Sequence, residues 1–439
     1  MKSVSAAARP LQLAVSRRAR PSLVGKSSFR AAAAAEETPR RRFIATQTSQ
    51  PQGHQQHPDP PPAIGFAPLP NRSLIAIAGV DAPKFLQGLV TASIYKQPAA
   101  RPDEPRDEGF YTAFLTAQGR VLHDVFIHPN PQFHGLSDAV KSKGLAPNHS
   151  FLVEVSRSQV DALFALIRRY KLRSSFVHRK VELDEASVYS YWNEPFSTED
   201  KGSGMPDDLS RNAAEAYITH DSRAPDLGWR VITSGKSELQ VDAEQCPRKT
   251  YTVRRFLRGV AEGPGEIIPD KTLPLDANID LMGGVDFRKG CYVGQELTIR
   301  TKHRGVVRKR ILPCVVYGDG ESRPEELEYK PTAPGRLGAE SVPSKTDIAP
   351  VSTTKKRSTG HWINGIGNIG LAMCRLQPMT DIELPGESAE SPSPYDPSNE
   401  FILKWETEGG QQLKIQPFVP DWIREKIAQS AHSRPAQST

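Results

Sequence analysis

The stretch Asp286-Phe-Arg-Lys-Gly-Cys-Tyr-Val-Gly-Gln-Glu-Leu-Thr-Ile-Arg-Thr-Lys302 sets one thiol between two glycines and beside a lysine. Gly290 allows the backbone to turn sharply, and Gly294 opens a helix that runs through Leu297 and Ile299. Cys291 is thereby expected near a helix N-terminus. Exposed amides there, with the Lys289 ammonium, would favour the thiolate, the form that attacks electrophiles or binds iron. The competing reading is that Cys291 is a small buried hydrophobe, the commoner fate of a free cysteine. On the residues alone the two readings stand level.

Upstream of this stretch the chain alternates strand and helix patterns without a regular βαβ rhythm. Arg72-Ser-Leu-Ile-Ala-Ile-Ala-Gly79 reads as a strand, and Asp81 as the N-cap of a helix carrying Phe85, Leu86, Leu89 and Val90 on one face. Tyr111–Leu115 and Val121–Ile127 flank Ala117-Gln-Gly119 as a hairpin. Leu152–Val155 is a further strand, and Ser158 precedes a helix with Leu163 and Ile167 inward that ends on Arg168 and Arg169. Residues 193–212 read as loop, 228–232 as strand and 251–261 as helix. Downstream, 310–316, 366–373 and 399–405 are strands of a small all-β unit. The fold class is therefore α+β.

Charge is unevenly placed. The chain carries +7 in all, but residues 1–43 hold ten basic side chains against Glu36 and Glu37, a net +8, which leaves the rest at −1. A body this close to neutral has no general attraction for phosphate backbones, so nucleic acid is not an expected partner. Residues 1–35 lack Asp and Glu and are rich in Arg, Ser and Ala, the pattern of a mitochondrial targeting helix. No stretch reaches the ~20 apolar residues of a membrane span. The four cysteines, Cys246, Cys291, Cys314 and Cys374, are far apart, as suits a reducing compartment rather than a disulfide scaffold.

Lys289-Gly-Cys-Tyr-Val-Gly-Gln-Glu296 resembles the signature of the YgfZ family, whose mitochondrial members assist iron-sulfur cluster assembly. Phe85-Leu-Gln-Gly88, Gln118-Gly-Arg-Val-Leu-His-Asp124, Tyr170-Lys-Leu-Arg173, Asp221–Gly228, Gly259–Gly263, Leu273–Asn278 and Gly367–Ala372 extend the resemblance over about residues 66–315 and pieces of the end. It implies an aminomethyltransferase-like (GcvT-like) folate-binding fold with a small C-terminal β-barrel. The expected organisation is a targeting sequence over 1–43, a disordered linker over 44–65, a folate-binding α+β region over 66–305, a barrel over 306–425 with mobile insertions at about 318–360 and 378–398, and a disordered tail over 426–439.

By the same resemblance the protein works in the mitochondrial matrix with A-type iron-sulfur scaffold proteins, on recipient apoproteins of the aconitase and lipoate-synthase type. Cys291 is the functional thiol and one ligand of a transient or shared cluster, since one cysteine cannot supply the roughly four ligands a cluster needs. Asp124, Lys289, Tyr292, Gln295 and Glu296 are the candidates for a tetrahydrofolate pocket or for the signature's own structure. The alternative function is tetrahydrofolate-dependent aminomethyl transfer. Against it, the transferases show adjacent aspartates where this chain has His123-Asp124, and a Tyr-Thr-Gly-Glu stretch that Asp221–Gly228 replaces. A third reading is an interaction module without chemistry. The basic run Arg300, Lys302, His303, Arg304, Arg308, Lys309, Arg310 is either a solvated face or a contact for a folate tail or an acidic partner.

Overall fold

The computed structural model describes residues 57–96, 104–132, 135–136, 147–199, 204–235, 237, 239–351, 358–384, 395–406 and 410–432. The expected targeting sequence lies outside them, as do most of the linker and residues 385–394 of the second insertion. In chain order come β1 (Ile64–Pro68), β2 (Arg72–Ala78), α1 (Ala82–Gln87), β3 (Phe110–Leu115), β4 (Val121–Pro129), β5 (Ser150–Ser156), α2 (Val160–Lys171), β6 (Val177–Lys180) and β7 (Ala186–Asn193). Then follow β8 (Ala216–His220), β9 (Trp229–Ser234), β10 (Glu244–Gln245), α3 (Arg248–Leu257) and α4 (Gln295–Arg304). The end of the chain gives β11 (Lys309–Tyr317), β12 (Asp347–Pro350), β13 (Gly360–Ile366), β14 (Ile369–Arg375), β15 (Phe401–Trp405), β16 (Gln411–Pro417) and α5 (Asp421–His432).

These strands make two five-stranded sheets, β10-β1-β7-β9-β8 and β3-β4-β5-β2-β6, and a closed barrel β11-β14-β13-β12-β15-β16. β2 is buried along its whole length, and α2 lays Leu163 and Ile167 into the same core as Ile75, Val125 and Val153. The cations in the last turn of α2 suit the negative end of that helix. In the barrel, Trp362, Leu371, Leu403 and Ile415 fill the interior and join a core that reaches back to Tyr111 and Phe256.

Several expectations need correction. Asp81 does not cap α1 with its side chain; the carboxylate instead accepts from the Ser175 amide at 2.6 Å, and the helix stops at Gln87 with Leu89 and Val90 buried beyond it. Residues 193–212 carry two short helices, Glu194–Glu199 and Asp207–Ser210. The end of the linker is packed: Tyr329 Oη donates to the Pro58 carbonyl and Trp192 Nε1 to that of Pro62, both at 2.8 Å. The first insertion supplies barrel material, since Tyr329, Ala339, Val342 and Ile348 are buried there and β12 closes the barrel. α5 runs into the expected tail because Trp422 and Ile423 anchor it, with Trp422 Nε1 donating to the Arg258 carbonyl at 3.0 Å. No described helix is long and apolar enough to cross a membrane.

Candidate functional site

The Cys291 loop is held on three sides. Asp286 N–H donates to the Thr91 carbonyl at 3.0 Å, Val293 N–H to that of Gly88 at 3.1 Å, and the Thr91 hydroxyl to that of Gly284 at 2.5 Å. Lys289 is the bolt. Its Nζ donates to the carbonyls of Gln87, Val90 and Ala92 at 2.7, 2.7 and 2.9 Å, so it gathers the carbonyls where α1 ends. The ammonium also lies 5.1 Å from the centre of the Tyr292 ring. Burial pushes the Lys289 ammonium down to about 7, with Asp286 opposing it, and pushes the Tyr292 phenol up to about 12.

On the third side the loop meets the β3–β4 hairpin. Gly294 sits at φ +82° as the N-cap of α4, and a Cβ there would lie 2.2 Å from the Thr116 carbonyl oxygen. Gly119, at the hairpin tip, has the same φ, and a Cβ on it would come within 2.8 Å of the Gly294 carbonyl oxygen. Two glycine backbones thus pass too closely for any side chain. Gln295 steadies the turn by accepting from the Tyr292 amide at 3.2 Å, and Glu296 stands exposed in the first turn of α4.

Cys291 is exposed, whereas Cys246, Cys314 and Cys374 are buried. Burial pushes the Cys246 thiol up to about 11 and raises that of Cys314 well above its ordinary value. Both supports expected for a Cys291 thiolate need correction. Lys289 spends its donors on backbone carbonyls, and Cys291 lies three residues ahead of the N-cap, outside the turn over which a helix end acts. What the loop gives Cys291 is accessibility.

Asp124 belongs to a different place. It lies within β4, opposite Ala113, and is buried. Its carboxylate accepts from the Gly263 amide at 3.2 and 3.1 Å. Among the described residues no hydrogen bond or ion pair joins it to Lys289, Tyr292, Gln295 or Glu296. Beside it runs an ionic network that sequence reasoning missed and that ties the two sheets together. Arg72 Nε donates to Glu154 at 2.6 Å, His128 Nε2 lies 3.2 Å from the other oxygen, and Arg230 Nε is 3.6 Å away. Arg223 grips Asp221 through two nitrogens at 2.8 and 2.7 Å, and Glu262 receives Arg223, Arg230 and Tyr251 at 2.9, 2.8 and 2.8 Å.

Burial alone would raise the Glu154 carboxyl, but Arg230 and Arg72 overcome it and bring it down to about 2. Glu262 is likewise held well below its ordinary value: burial opposes, Arg230 and Arg223 prevail. The signal was present in the sequence as single charges inside apolar strands, Glu154 in Leu152–Val155 and Arg230 in Gly228–Ile232. The basic run after the signature also divides. Arg310 is buried against Asp280 at 3.0 Å and is structural, whereas Lys309, which meets Asp276 at 3.0 Å, stays half-exposed on the solvated face.

Two sheets tied through a buried ionic centre, followed by a six-stranded barrel, define an aminomethyltransferase-type fold. The crystal structure of glycine cleavage system aminomethyltransferase T from Bartonella henselae superposes with a TM-score of 0.50 over 82% of this chain and 86% of that one, at 10% identity. No protein-family model matches the chain. Curated relatives take the assignment further. The mitochondrial iron-sulfur cluster assembly factor IBA57 homolog of Pyricularia oryzae is 44% identical over 371 residues, 83% of this chain and 86% of the relative. Those of Neurospora crassa and Aspergillus fumigatus are each 42% identical, covering 82% and 86% of this chain and 81% and 85% of their own lengths. The chain belongs to this family of mitochondrial iron-sulfur cluster assembly factors.

Proposed function

We propose that the protein acts in the mitochondrial matrix in maturing four-iron four-sulfur proteins, with Cys291 contributing one ligand to a cluster shared with an A-type scaffold protein. The carrying observation is that Cys291 alone of the four cysteines is exposed, on a loop whose backbone is fixed from three sides. A single thiol leaves most ligand positions to be filled by another protein. Lys289, Tyr292 and Gln295 then hold the loop, and exposed Glu296 is left as a contact for the partner. Aconitase activity and protein lipoylation, measured in mitochondria whose sole copy carries Cys291→Ala, test it: both should fall, and normal values of both would sink the proposal.

A second reading has its own observation. Tyr111 Oη is buried without a hydrogen-bond partner among the described residues, beside Phe126 at 5.3 Å and near Asp124. Arg223 and Arg230 already lie over the Tyr111 and Phe126 rings, so on this reading the Tyr111 hydroxyl and the Asp124 carboxylate alone would meet the polar edge of tetrahydrofolate, which supplies the one-carbon-accepting nitrogens of a transferase. Equilibrium binding of tetrahydrofolate to the purified protein decides this. Binding weakened about tenfold or more by Asp124→Asn supports it, and no saturable binding removes it.

A further inference from the structure

Tyr170-Lys-Leu-Arg173 is part of the family resemblance but belongs to neither the Cys291 loop nor the ionic centre. α2 ends there, and the chain turns back with the Ser174 amide donating to the Lys171 carbonyl at 2.8 Å. Leu172 occupies the position of that turn which demands φ +43° and ψ −110°, a conformation suited to glycine and strained for leucine. Its side chain is also 87% exposed. An apolar residue at a glycine position, turned into water, is unfavourable on both counts. The turn is nevertheless held firmly, because Ser175 N–H donates to the Asp81 carboxylate and Asp81 N–H to the Ser175 carbonyl, at 2.6 and 3.4 Å.

Around Leu172 the surface is basic and partly apolar. Asp81, Lys84, Phe85, Tyr170, Leu172, Arg173 and Ser174 line one open cleft of about 790 Å³, and Val80, next to Asp81 in the chain, is more than half exposed. Arg168, Arg169 and Lys171 complete the end of α2, and among the described residues none of these five cations forms an ion pair. Their field is felt nearby: His178 is held below its ordinary value, first by burial and then by Lys171 and Arg168.

We infer that this turn docks the protein on an anionic phospholipid surface, with Leu172 entering the headgroup boundary, Tyr170 at headgroup level, and the lysine and arginine heads on lipid phosphates. A projecting apolar tip on a fixed turn, ringed by cations on long stems, matches what such an interface takes. It needs no recipient pocket, which an acidic protein partner would have to provide.

Sedimentation of the full chain with vesicles tests this, using phosphatidylcholine alone and phosphatidylcholine with cardiolipin at roughly four to one. Binding should appear only with cardiolipin and weaken as salt rises. Lys171→Gln and Arg173→Gln should each weaken it about fivefold. Leu172→Gly should weaken it about tenfold or more while raising the melting temperature, because glycine relaxes the turn. The basic residues 1–43 are common to every variant. Equal binding by all variants would therefore assign the interaction to that segment and overturn the inference, as would an absence of binding to the mixed vesicles. Leu172-dependent retention on immobilised polyglutamate without vesicle binding would also overturn it, in favour of an acidic protein.

Discussion

The ionic centre and the Cys291 loop are both tightly built, but toward opposite ends. In the centre, charged side chains hold one another: Glu154, Glu262, Asp221, Arg72, Arg223 and Arg230 are all buried and mutually paired. In the loop, the buried Lys289 amine sends its hydrogen bonds to backbone carbonyls, and the fixed backbone presents a thiol to solvent. A site whose own arginines and carboxylates are already paired with each other is poor at exchanging partners, because removing any one strands another. A thiol on a rigid, accessible loop can meet a partner at no such cost. The difference is between a site closed on itself and a thiol open to solvent.

That contrast breaks most visibly at Glu154. Glu154→Gln keeps the shape but leaves Arg72 and Arg230 facing a neutral amide in a fully buried setting, and should cost about 3–5 kcal/mol in chemical denaturation. Acid gives the same test in the natural chain. The Glu154 carboxyl is held at about 2, below its unfolded value near 4.3, so its contribution is fully present above that unfolded value and is lost as pH falls through about 2. The stability of the Gln variant should change less across this window; an equal slope in both proteins would show that other carboxyls govern acid unfolding.

Gly294→Ala is next. It forces an L side chain to φ +82° and drives a Cβ into the Thr116 carbonyl, so the loop must part from the hairpin. A loss of about 2–3 kcal/mol is expected, with hydrogen exchange rising in residues 286–297 before the rest. Lys289→Met follows. It strips the donor from three carbonyls, at about 1–3 kcal/mol, and the same exchange measurement should show the end of α1 loosening together with the loop. Protection lost in the loop alone would mean that α1 does not depend on this lysine.

Much of the scaffold could be read from pattern. The hairpin around Gly119, the inward Leu163 and Ile167 of α2, and the helix opened by Gly294 all follow from local periodicity and glycine placement. What could not be read depends on tertiary neighbours. Asp81 looks like a cap, but Ser175, 94 residues away, claims its carboxylate. Lys289 looks like the partner of the adjacent thiol, but residues about 200 positions upstream supply its acceptors. Charges such as Glu154 were visible as anomalies in apolar strands, yet their partners come from β2, β4 and β9.

Cys291→Ala is the smallest change by stability and the sharpest for the contrast. The side chain is exposed, and the hydrogen bonds that fix its loop come from Lys289, Val293 and Asp286 rather than from sulfur. Unfolding should therefore shift by no more than about 0.5 kcal/mol, while maturation of cluster enzymes fails. If instead the variant is destabilised by as much as Lys289→Met, the thiol is part of the packing, and its role in maturation could not be separated from holding the loop. Unchanged stability with lost maturation would mean that the loop is built to carry the sulfur and not to be held together by it.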